Sequence, residues 1–270
     1  DVDAPSLQRL DDDAAFAGFL DDLEAGRVAA VIIAGCNPVA DAAGGARLVA
    51  ALPRAAVRVG IAERPDETTA ALAIVTPRPH AFEAWDDAEP VRGVVSLTQP
   101  LVEAFGEPRS LRACLAAWTG AAAPDLDLVR AAWRRDVLPR LPAAATDAAS
   151  WRTALRDGFA RVEVPRSTAE PFAVEAVAAP RARPGGDGLV LACIPSVAML
   201  DGRHAQNPWL QELPDPITKQ TWGNAVLLSE AAARRLRVVD GDRVRVSGPG
   251  GAAATLPALV QPGLGDRTVV

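Results

Sequence analysis

The chain has 270 residues, 49% of them hydrophobic, and a formal net charge of −6 at pH 7. That charge argues against nucleic acid or an anionic membrane surface as a partner, because both select clustered positive charge, and no apolar run approaches the roughly 18 residues of a membrane span. Three cysteines, Cys36, Cys114 and Cys193, are too few and too dispersed for an iron–sulfur or zinc motif, so a redox centre has to come from elsewhere.

A chain of this length and apolar content can bury a sizeable core and is expected to make two domains. Asp1-Val2-Asp3 carries neither an initiator Met nor a leader and reads as an internal cut, and Asp266 to Val270 reads as the middle of a strand, so flanking sequence is expected on both sides.

In chain order, Asp12 to Ala25 is amphipathic and predicts a helix. Val28 to Ala34 is a continuous apolar run that suits a strand buried on both faces. The turn Gly35-Cys36-Asn37-Pro38 ends it. A short helix through Arg47 to Leu52 leads to strands at Ala56 to Ile61, Ala71 to Val75 and Val94 to Leu97. This alternation is how a parallel α/β sheet is written, and it assigns residues 1–140 to a parallel α/β domain. From Ala121 to about Val164 the pattern is helical, with Leu126, Leu128, Val129, Ala132 and Trp133, then Trp151, Leu155 and Phe159, on a buried face. Pro165 to Gly188, rich in Pro, Ala, Arg and Gly, has no period and marks the linker, so residues 141–185 are assigned to connecting helices and linker.

After the linker the pattern changes to short strands and tight turns. Leu189 to Ile194 and Asn224 to Leu228 predict strands. Ser229 can cap a helix that has Glu230 in its first turn and Arg234 and Arg235 near its end, in agreement with the helix dipole. Asp240-Gly241 is a turn, Arg243 to Val246 a strand, Gly248 to Gly251 a second turn, and Thr255 to Val260 the returning strand. Residues 186–270 therefore predict a small β-barrel.

Several stretches are candidates for chemistry. Gly35 to Pro38 lies where open α/β sheets bind ligands, at the carboxyl end of a strand; it reads equally as a plain turn in which Asn37 caps and Pro38 starts a helix. It is not GxGxxG, so a nicotinamide dinucleotide site has little support. Glu63 follows the second strand, the usual place for a carboxylate that holds a ribose or base, or for a solvated charge. His80 and His204 are the only histidines and lie in separate halves, without partners at metal-ligand spacing. No Gly-x-Ser-x-Gly elbow is present, and only folding could bring Cys36 near His80. His204 to Pro216 is too irregular for helix or strand, must be held by side-chain contacts, and reads as a functional loop or a subunit contact.

Together these segments resemble the last two domains of the molybdopterin oxidoreductases along nearly the whole chain. Ala30 to Pro38 is similar to that family's apolar strand and Gly-x-Asn-Pro loop. Asp66-Glu67-Thr68-Thr69-Ala70, Ala73 to Pro77 and Glu83 are similar to its Glu-Thr-Ala, strand-Pro and Glu pattern, and Gln99-Pro100 resembles its Gln-Pro pair. Ala232, Leu236, Asp240-Gly241-Asp242, Val244 and Val246 resemble its final barrel, of the double-psi type. Two stretches, His80 to Asp87 and above all Asn207 to Lys219, resemble one branch: the large iron–sulfur subunit of alternative complex III, a membrane quinol oxidoreductase.

The resemblance implies a Rossmann-like domain followed by a double-psi β-barrel-like domain. It implies that Gly35, Asn37, Pro38, Glu63 and Thr68 occupy positions that hold the guanosine end of molybdopterin guanine dinucleotide in active relatives, and that His204 and Asn207 approach its pterin end. The strand-start aspartate of the family is Leu72 here, which weakens a retained polar site. The metal-ligating residue of active members belongs to a domain outside this sequence, and no metal or cofactor is expected in this chain alone. The implied role is structural, with iron–sulfur clusters elsewhere in the subunit, with cytochrome c and integral membrane quinol-binding subunits as partners, on the periplasmic side of the inner membrane. The alternative is a fragment of an active polysulfide or nitrate type reductase.

Overall fold

Asp12 opens the first helix: its carboxylate accepts from Ala14 N at 2.8 Å, which satisfies one of the free N–H groups of the first turn. In the computed structural model, which describes residues 4–8, 12–141, 147–165, 188–248 and 253–270, the chain divides into two units, Asp1–Pro171 and Phe172–Val270. The linker expected between Pro165 and Gly188, and most of the turn from Gly248 to Gly251, lie outside the described residues.

The first unit begins with helix α1 (Asp13–Glu24), strand β1 (Ala30–Ala34), a short α2 (Pro38–Asp41) and α3 (Gly45–Ala51). Strand β2 (Val57–Ala62), α4 (Glu67–Ala70) and β3 (Ile74–Pro77) follow. The three strands pair in parallel in the order β1-β2-β3, with Ile32 opposite Val59 and Val59 opposite Ile74. On one face Val31 packs with Leu20 and Leu23 of α1 and Leu48 and Ala51 of α3. On the other, Val59 and Ile61 pack with Cys114 of α5 (Leu111–Trp118).

Two expectations are corrected here. The β1 run is not buried on both faces, because α5 covers only part of its side of the sheet and Ile32 stays exposed. The third strand begins three residues later than expected, at Ile74: Asp66 and Thr69 close a reciprocal capping box, and Ala71 becomes the end of a helix rather than the start of a strand.

The strand expected at Val94 belongs to a different sheet. Strands β4 (Asp86–Val91), β5 (Val94–Thr98) and β6 (Phe159–Arg161) make an antiparallel sheet with β5 in the centre. Gly93, at φ +85°, makes the tight connection between β4 and β5 that a parallel arrangement would not allow. Against this sheet pack α6 (Asp125–Ala132), a widened helical turn at Trp133–Val137, and α7 (Asp147–Asp157). Trp133 is fully buried, donates Nε1–H to Asp87 Oδ2 at 2.9 Å, and meets Trp151 edge to face at 5.5 Å. Phe159, expected on a helix face, instead starts β6 after Gly158 at φ +78° ends α7.

In the second unit, β7 (Val190–Leu191), α8 (Pro208–Gln211), β8 (Val226–Leu228), α9 (Glu230–Leu236), β9 (Arg243–Ser247), β10 (Ala253–Val260) and β11 (Thr268–Val269) are short. The strands form one mixed sheet in the order β7-β11-β8-β10-β9, curled around Val226, Leu228, Ala258 and Val269. Ser229 caps α9 by accepting from Ala232 N at 3.0 Å, as its sequence indicates. The sheet is barrel-like rather than closed among the described residues, since β7 and β9 do not pair with each other. No helix of the described residues is long and apolar enough to cross a membrane.

Candidate functional site

The carboxyl ends of β1, β2 and β3 gather most of the residues marked by the sequence. Gly35 sits at φ +67°, where a side chain is disfavoured, and its N–H donates to Ile61 O at 3.0 Å. A Cβ there would lie 2.2 Å from Arg78 Nη1, so the guanidinium rests directly on the turn. Only glycine permits that approach.

Asn37 does not cap α2, which corrects the plain-turn reading, although Pro38 does start that helix. Its side chain reaches the next crossover instead. Asn37 Oδ1 accepts from Thr68 N at 3.2 Å and from Thr68 Oγ1 at 2.7 Å, and its Nδ2 donates to Glu67 Oε2 at 2.8 Å. Thr68, almost fully buried, accepts in turn from Val39 N at 3.1 Å. These bonds satisfy a buried hydroxyl and fix the β1 turn to the start of α4. The Asn37 amide, and after it a backbone N–H, hold the Glu67 carboxyl below the ordinary glutamate range.

Desolvation, followed by the Asp41 and Asp66 carboxylates, pushes the Cys36 thiol up, which leaves it protonated and a poor nucleophile. His80 does not serve it as a base: the ring Nδ1 accepts from Phe82 N at 3.1 Å, and the ring stands edge-on to Phe82. No group of His, Cys, Asp and Glu among the described residues is placed to hold a metal ion.

Glu63 is exposed at the end of β2, and neither its carboxylate nor the Arg78 guanidinium has a polar partner among the described residues. Arg78 and Glu67 were not marked by sequence reasoning. Arg78 directly follows the strand-Pro pattern, and Glu67 begins Glu-Thr-Ala, so position within those patterns was the available signal. Leu72 joins the apolar core beside α1 and α3, and its Cδ1 lies over Gly60 of β2.

His204 and Asn207 lie in the second unit, in the irregular segment before β8. Asn207 Oδ1 accepts from Trp209 N at 3.1 Å and Leu210 N at 3.3 Å and so caps α8. Gln211 Nε2 donates to Ala205 O, and Asp215 gathers Ile217 N, Thr218 N and Thr218 Oγ1 within 3.0 Å. The segment is held by side-chain bonds, as expected, yet Trp209 remains 85% exposed.

No family model and no curated protein matches the chain. Among solved structures, acetylene hydratase from Pelobacter acetylenicus aligns over 94% of this chain with a TM-score of 0.56 at 14% identity. The two share a general fold, a Rossmann-like parallel-sheet unit followed by a barrel-like unit. At that identity the likeness establishes the fold alone, and the chain spans only 38% of the acetylene hydratase structure. Within this fold, Gly35, Asn37, Pro38 and Thr68 come together at the end of the parallel sheet with Glu63 on its rim, while His204 and Asn207 come together in the barrel-like unit.

Proposed function

We propose that this chain is a structural, noncatalytic part of a quinol oxidoreductase subunit of the alternative complex III type, peripheral on the periplasmic side of the membrane. The observation that carries this reading is the commitment of Asn37. Its side-chain oxygen accepts twice from Thr68 and its amide nitrogen donates to Glu67, so the loop residue placed to meet a ligand braces the fold. A raised Cys36 thiol and an apolar Leu72 at a position where the resembled family has aspartate support the same reading. The resemblance of Asn207 to Lys219 supplies the branch. In this role the chain supports electron transfer by iron–sulfur clusters elsewhere, next to cytochrome c and membrane quinol-binding subunits.

The second reading, a fragment of an active molybdopterin-dependent reductase, is favoured by Arg78 and Glu63. A cation on the glycine turn and a free carboxylate on the rim fit the phosphate and base of a dinucleotide. A bound pterin dinucleotide would supply the metal chemistry in that case. Purification of the tagged chain from membranes of its own cells separates the two: the structural reading expects stoichiometric co-elution of a haem c protein and quinol oxidation by the eluate, and elution without either contradicts it.

A further inference from the structure

We draw no further inference here: the strongest candidate, the exposed apolar patch of Phe82, Leu101, Val102 and Phe105 on the loops before β4 and after β5, carries none, because nothing in the structure shows what covers it.

Discussion

Asn37 and Thr68, 31 residues apart, are joined by two hydrogen bonds to a single oxygen: Asn37 Oδ1 accepts from both the backbone N–H and the hydroxyl of Thr68. The pair ties the turn after β1 to the start of α4, across the carboxyl end of the parallel sheet.

Removing the Asn37 side chain leaves the buried Thr68 hydroxyl without its acceptor. Asn37→Ala should therefore destabilise the first unit by about 1–3 kcal/mol, read as a lower urea midpoint. Thr68→Val, which removes the hydroxyl and keeps the shape, should cost less than Asn37→Ala. Equal losses would mean that the two residues do not act through this bond.

Glu67 gives the site a pH dependence. Its folded pKa is lowered, first by the Asn37 amide, so its contribution is present above the unfolded value and is lost as pH falls through the folded one. Between pH 7 and pH 3 the wild-type urea midpoint should fall more than that of Glu67→Gln. A larger fall in the variant would contradict the direction of the shift.

Trp133 should be the most costly single position in the antiparallel half. It is fully buried, it touches Trp151, and its Nε1–H satisfies Asp87, which also pairs with Arg112. Trp133→Ala should cost about 3–5 kcal/mol. Trp133→Phe should recover part of that packing while leaving Asp87 Oδ2 short of a donor, so its melting temperature should lie between those of Trp133→Ala and the wild type.

Trp209 behaves oppositely. Since it is 85% exposed, Trp209→Ala should change the stability of the isolated chain by no more than about 0.5 kcal/mol, while the yield of assembled complex falls. A large loss of stability in the isolated chain would show that the indole packs on its own unit.

Legibility in the sequence followed the range of the forces. The helix after Asp12 could be read because its apolar period is local, and the cap at Ser229 because its oxygen lies three residues from its donor. The start of β3 could not, because the Asp66–Thr69 capping box took residues whose apolar pattern suits a strand. Val94 to Thr98 is apolar in either kind of sheet, and its antiparallel neighbours are set by Gly93 and by β6, 65 residues further along, counting Val94 to Phe159. At the site, Gly35, Asn37 and Thr68 were marked through motif resemblance, but the bond from Asn37 to Thr68 depends on how the crossover returns. Arg78 went unmarked because one arginine among many in this chain carries no local signal until the fold lays it on Gly35.

The central claim is that these residues serve as scaffold. Its most direct test is to purify the chain alone, without its proposed partners, from heterologous cells that make molybdopterin guanine dinucleotide and to measure molybdenum, tungsten and iron by elemental analysis, with fluorescence of the oxidised pterin in parallel. The structural reading expects each at well below one per ten chains. Stoichiometric metal or pterin would contradict it and would make Arg78 and Glu63, rather than Asn37, the residues that define the site.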